Sequence, residues 1–120
     1  METLYSKIGA DRLQKLVTIF YDMVFNESKI SHLFNSSDQS IRDKQYKFLT
    51  QFLGGPTLYS NEYGHPKMKV RHLPHSIGKD EKDEWLRCMR SAIDKMNFEG
   101  ELGNQLYECF PRVAEHMRNK

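Results

Sequence analysis

Apolar residues recur along this chain of 120 residues at helical spacing, and no stretch alternates convincingly as a strand would. Leu13, Leu16, Val17, Phe20, Tyr21 and Val24 form an i, i+3, i+4, i+7 stripe. It predicts a helix that begins near Asp11, a good N-cap after Gly9, and ends at Asn26 and Ser28. The short segment KISHLF offers Ile30, Leu33 and Phe34, and NSSDQS then reads as a polar turn. A second long helix is predicted from Asp38 to Leu53, stopped by Gly54-Gly55-Pro56. Its inward face is Ile41, Gln45, Phe48, Leu49 and Phe52. Gly54 to Gly64 reads as a loop, long for a connection in a compact domain. A third helix starts at Gly78 and Asp80, with Asp80, Glu81, Asp83 and Glu84 early, where the macrodipole favours acids. Its apolar face is Trp85, Met89, Ala92, Ile93 and Met96. The last pattern, Leu102, Leu106, Cys109, Phe110, Val113 and Met117, predicts a helix from about Glu101 to Met117, which Pro111 should kink or split. The pattern implies an all-α fold of four main helices in a single domain, 1–120.

One stretch fits none of these helices. GHPKMKVRHLPHSIG, from Gly64 to Gly78, is punctuated like a loop by Gly64, Pro66, Pro74 and Gly78. It also carries Met68, Val70, Leu73 and Ile77 interleaved with Lys67, Lys69 and Arg71. Such a segment can press an apolar side against a flat ligand while its cations meet carboxylates at the edge. His72 is then the natural metal ligand.

Composition narrows the choices. Lys and Arg total 18 against 16 Asp and Glu, a formal charge of +2, so nothing points to nucleic acid or to a membrane surface. The apolar runs are far shorter than the roughly 20 residues needed to span a bilayer. The first residues, METLYSKIGADR, lack the apolar core of a signal peptide. Cys88 and Cys109 are far apart, form no Cys-x-x-Cys pair and fall on apolar helix faces, as reduced buried thiols do. A reducing, cytoplasmic setting fits.

Polar groups on apolar faces are the next clue. Gln45 stands where an aliphatic residue is expected, and a buried amide without a partner costs about 1–3 kcal/mol. It either reaches a neighbouring backbone group or faces a site. Tyr21 and Trp85 each lie on an apolar stripe and each carry a donor that needs a partner. Taken singly these are ordinary core residues. Together they outline a polar pocket inside an apolar core, the way a site for a small polar ligand is built.

The chain resembles the group II truncated haemoglobins, the bacterial two-over-two globins, from Ile8-Gly9 to about Met117. The resemblance rests on Phe20-Tyr21, Phe34, FLTQFLGGPTLY from Phe48 to Tyr59, GHPKMKVRHLP, and DEWLRCMRSAID with its Trp85. It implies a truncated globin fold, two antiparallel helix pairs stacked around one haem b per chain. It implies His72 as the proximal iron ligand, and Lys44, Tyr59 and Arg71 near the propionates. Tyr21, Gln45 and Trp85 would line the distal side with Ile41 beside them, and Phe34 and Phe48 would pack on the porphyrin.

The expected activity is reversible O2 binding at ferrous iron, with Tyr21, Trp85 and Gln45 donating hydrogen bonds. The resemblance suggests redox chemistry of small diatomic ligands, such as NO dioxygenation, or O2 storage and transport. Its partners would be O2, NO, CO or peroxide and a reductase, for a monomer or homodimer. Peroxidase-like chemistry is an alternative, though no acid lies close to His72 in sequence to make its ring electron-rich. Another class stays open as well. His72 and His75 form a His-x-x-His pair with His65 nearby, so a zinc site or a structural module without haem is the rival.

Overall fold

The computed structural model describes residues 2–27, 38–64 and 78–117, and among these the regular structure is entirely helical. The helices are α1 (Leu4–Ile8), α2 (Ala10–Glu27), α3 (Asp38–Phe52), α4 (Leu58–Tyr63), α5 (Lys79–Met96), α6 (Leu102–Tyr107) and α7 (Phe110–Met117). Ile30, Leu33 and Phe34, and the stretch between Gly64 and Gly78, lie outside the described residues. Among the described residues no helix is long and apolar enough to cross a membrane.

The core forms where α2 packs on α5, with α3 against α2 and both α6 and α7 against α5. The whole predicted stripe of α2, Leu13 to Val24, is buried, as are Trp85, Cys88, Met89, Ala92 and Ile93 of α5. Leu102, Leu106, Phe110 and Ala114 close the far side. Full burial of each such aliphatic or aromatic side chain contributes about 1.5–3 kcal/mol. Charged pairs decorate this core at its rim. Arg42 ties α3 to α2 through Asp22 at 2.8 Å and the Thr18 carbonyl at 3.0 Å, and Lys82 reaches Glu115 at 2.9 Å. These partly exposed pairs are worth only about 0–1 kcal/mol each, so they set register rather than stability.

Helix ends follow local chemistry. Glu81 reaches back to accept the Gly78 N–H at 3.0 Å and starts α5. Asn97 ends it in the left-handed region, φ 57°, a conformation asparagine tolerates. Pro111 splits the last predicted helix in two. It is the second residue of α7, where its missing N–H would lack an intrahelical acceptor in any case. Cys88 is buried and Cys109 only half-buried, so the expectation of two buried thiols holds for the first alone; both are free.

Two corrections concern short elements. Residues 58–63 are not loop but α4, held by Gln51, whose side chain accepts from the Ser60 N–H at 2.9 Å and donates to its hydroxyl at 2.8 Å. The other is α1, opened by a capping box in which Thr3 accepts from the Ser6 N–H and Ser6 accepts from the Thr3 N–H, both 3.0 Å. Both helices are too short to show a periodicity or to persist without tertiary contacts.

The docking of α1 explains Gly54-Gly55 more fully than a stop signal does. The Tyr5 N–H donates to the Leu53 carbonyl at 3.0 Å, laying α1 across the end of α3. A Cβ on Gly54 would lie 2.7 Å from Thr3 Cβ, and one on Gly55 would lie 2.7 Å from the Tyr5 ring and 2.9 Å from the Thr50 carbonyl. Gly55→Ala should therefore destabilise the fold by about 1–3 kcal/mol through overpacking, read as a lower urea midpoint. An unchanged midpoint would mean that α1 is not seated as described.

Candidate functional site

The site is built from the faces that α2, α3 and α5 turn towards one another. On α2, Phe20 is fully buried and carries Tyr21 against one edge, with ring centroids 4.9 Å apart at 85°. Trp85 of α5 packs on the same Phe20 ring at 5.2 Å. Two of the predicted pocket donors thus share one apolar support. Edge-on aromatic contacts of this kind contribute about 0.5–1.5 kcal/mol beyond their area, which fixes both rings firmly. Phe25 flanks the other side of Tyr21 at 5.9 Å.

Helix α3 shows two stripes where the sequence suggested one inward face. Leu49, Thr50 and Leu53 are buried. Ile41, Gln45 and Phe48 are only half-buried, and Phe52, 40% exposed, is the one exposed large apolar side chain among the described residues. Ile41, Gln45, Phe48 and Phe52 run i, i+4, i+7, i+11, so they lie on one side of α3. Phe48 and Phe52 stack with their planes 10° apart and centroids at 5.8 Å. A partly open apolar stripe beside buried aromatic donors suits a broad, flat, largely apolar ligand.

The polar groups point to the same conclusion. Neither the Gln45 amide nor the Trp85 indole N–H makes a hydrogen bond within the described residues, although Trp85 is buried. Neither donor is sealed in the core, since the buried side-chain polar atom without a partner among the described residues is the Thr50 hydroxyl oxygen, so both are open to a ligand acceptor. Burial pushes the Tyr21 phenol well above its ordinary value of 10, and the Arg42 guanidinium offsets this only in part. Tyr21 is therefore a neutral hydroxyl donor across the physiological range.

The remaining predicted site residues divide. Tyr59 is buried on α4 with its ring 5.7 Å from Phe48. Lys44 holds its ammonium 5.0 Å from the centre of the Tyr63 ring, at the rim of the same face. His72, Arg71, Phe34 and the alternative ligands His65 and His75 lie outside the described residues. Among the described residues no group of three or more His, Cys, Asp or Glu side chains is placed to hold a metal ion. Phe52, expected on the inward face, is instead partly open, which only packing reveals, and Arg42 was not foreseen because its approach to Tyr21 leaves no local signal. An apolar stripe, unpartnered donors and a rim cation fit a haem better than a hydrated ion.

The raised Tyr21 pKa carries a stability prediction. A group whose folded pKa lies above its unfolded value contributes stability that is complete below the unfolded value and declines as pH rises beyond it. Thermal unfolding followed from pH 8 to about 11 should therefore show the wild type losing stability more steeply above pH 10 than Tyr21→Phe. Parallel curves would remove the buried phenol as the cause.

Comparison with known proteins gives the arrangement its context. The family model described as "Bacterial-like globin" matches residues 3–119. The chain is 40% identical over 116 residues to the group 2 truncated hemoglobin YjbI of Bacillus subtilis, covering 97% of this chain and 88% of that one. The X-ray structure of a truncated oxygen-avid haemoglobin from Bacillus subtilis superposes with a TM-score of 0.92 at 40% identity, covering 98% of this chain and all of that one. The group II truncated hemoglobin of Bacillus anthracis superposes at 0.93 with 36% identity, over 100% and 98% of the two chains. This chain therefore belongs to the bacterial-like globins and, within them, to the group II truncated haemoglobins, with the two-over-two helical fold and one haem per chain.

Proposed function

We propose that the protein binds O2 reversibly at a haem whose iron is held by His72, and that Tyr21, Trp85 and Gln45 set how tightly the ligand is retained. The observation that carries this reading is the meeting of Tyr21 and Trp85 on Phe20, next to the open stripe of α3. The haem supplies an iron that binds diatomic ligands and shifts negative charge onto them. The chain supplies the rest. The phenol of Tyr21, kept neutral by burial, and the indole N–H of Trp85 donate towards that charge from rings that packing has already fixed. Gln45 is the third donor, since Ile41 one turn earlier offers none. Lys44 and Tyr59, with Arg71, orient the carboxylate edge of the cofactor, while Phe48 and Phe34 shield its faces.

Relatives support the assignment. The Bacillus subtilis protein is described as oxygen-avid. In the Bacillus anthracis protein a tyrosine and a tryptophan have been replaced, at the same sequence separation as Tyr21 and Trp85 here. A pocket with several donors holds O2 too firmly for simple delivery, so we assign it the oxidation of NO to nitrate by O2. A cytoplasmic reductase would return the iron to the ferrous state.

Two measurements test this. His72→Ala should lose haem on purification; full haem retention would sink the proximal assignment. O2 release from Tyr21→Phe and Trp85→Phe should each be faster, by up to about tenfold for one hydrogen bond worth about 0.5–1.5 kcal/mol. Release rates equal to wild type in both variants would remove the donor mechanism.

A further inference from the structure

One arginine joins α3 to α2 at the level of the donor pocket. The Arg42 guanidinium donates through Nη1 to the Thr18 carbonyl at 3.0 Å and through Nη2 to Asp22 Oδ1 at 2.8 Å. Thr18 and Asp22 stand three residues before Tyr21 and one after it, so the fork closes on the turn of α2 that carries the phenol. On α3, Arg42 directly follows Ile41 and lies three residues before Gln45, the third donor of the pocket. The fork therefore joins the two helix turns from which Tyr21 and Gln45 project.

An ordinary surface ion pair is built differently. Lys82 and Glu115 meet by their flexible side-chain tips, and such a contact tolerates movement of either helix. Arg42 instead holds a carbonyl from the interior of α2. In an α-helix that carbonyl already accepts the N–H four residues on, and its second lone pair remains for the arginine. A main-chain acceptor fixed in this way cannot swing to follow its donor. The Arg42 side chain is also mostly covered, 15% exposed against 59% for Asp22. A planar fork with two prongs at set positions restrains distance and direction together, which the single ammonium of a lysine cannot do.

The need for such a restraint follows from the packing. Phe20 fixes the Tyr21 ring relative to α2 and α5, but that contact leaves α3 unfixed. The fully buried residues of α3, Leu49, Thr50 and Leu53, begin seven residues beyond Arg42, whereas Ile41 and Gln45 beside it are only half-buried. At the Tyr21 end the apolar grip on α3 is thus weaker, and the fork supplies what is missing. Its charge also reaches the phenol, where it acts against the effect of burial. A hydrogen bond weakens steeply with lost alignment, so a small shift of α3 would matter to a ligand lying between the helices.

We infer that Arg42 is a positioning residue for ligand retention: by clamping α3 to the Tyr21 turn of α2, it keeps the phenol at donating distance from bound O2. It acts through Tyr21, and the inference rests on the haem reading of the site.

The test uses the haem-loaded protein and two readouts, the O2 release rate and the C–O stretching band of the carbon monoxide adduct. Arg42→Gln should release O2 about two- to fivefold faster, below the about tenfold ceiling of one hydrogen bond. Its C–O band should move to higher frequency, as it does when a donor withdraws from the ligand. Arg42→Lys keeps the charge without the fork and should behave in the same way; a lysine variant identical to wild type overturns the clamp. Asp22→Ala removes one prong from an exposed position without touching the core, and should move both readouts in the same direction by less. Unchanged readouts there refute the fork even if the arginine variants fold poorly. In a Tyr21→Phe background Arg42→Gln should change neither readout, and an effect that persists in full without the phenol overturns the inference. Arg12 makes another two-pronged contact, to Glu99 and the Lys7 carbonyl, about 14 Å further down α2. Arg12→Gln should leave both readouts at wild-type values, and equal acceleration there would mean general loosening. Release unchanged in Tyr21→Phe itself removes the donor mechanism and the clamp with it, whereas faster release there with Arg42→Gln unchanged refutes the clamp alone.

Discussion

Phe20 is the fixed point of this molecule. It is fully buried where α2 crosses α5, and it holds Tyr21 on one side and Trp85 on the other. Its value is geometric as much as energetic. A hydrogen-bond donor discriminates between ligands only if it does not move, and the backbone alone fixes neither a phenol nor an indole. Two edge-on contacts with a ring that has nowhere to go supply that rigidity. The fold thereby converts ordinary hydrophobic packing into a positioned pair of polar groups. The rest of the site, from the stripe on α3 to the cation at its rim, is arranged around this pair.

The division of α3 shows how packing separates roles that the sequence merges. Leu49 and Leu53 face the interior, whereas Ile41, Phe48 and Phe52, only a short rotation away around the same helix, stay partly open. An amphipathic helix with one partner needs one stripe. A helix that packs on α2 and also presents a partly open apolar face has two. Gln45 belongs to the second stripe, where half-burial leaves its amide less costly than it would be in the core. The charged contacts are secondary in strength, yet Arg42 shows that they are not idle. It latches α3 to α2 beside Tyr21 and modestly opposes the effect of burial on the phenol.

Much of this was legible in the sequence, and the reasons are specific. The buried stripe of α2 and the face of α5 were readable because each repeats over several turns, long enough for periodicity to outweigh local noise. Tyr21, Trp85 and Gln45 stood out as polar groups where apolar ones were due. Pro111 announced a break because its ring cannot sit in a helix interior. What escaped notice was short or tertiary in origin. Residues 58–63 become helical because a side chain of α3 caps them, and α1 forms where it can lie on the end of α3; neither cause is written in its own six or so residues. The openness of Phe52 is likewise a property of what does not pack on it.

The seat of α1 on Gly54-Gly55 has a consequence for how this protein varies and can be rebuilt. Thr3 and Tyr5 occupy the space that side chains would otherwise claim at the end of α3, though some fifty residues of chain separate them. The opening residues and the α3–α4 corner are therefore one unit of exchange. A chimera or circularly permuted version that takes one from this chain and the other from a distant source inherits a collision or a hole. A transplant that moves both together carries its own fit.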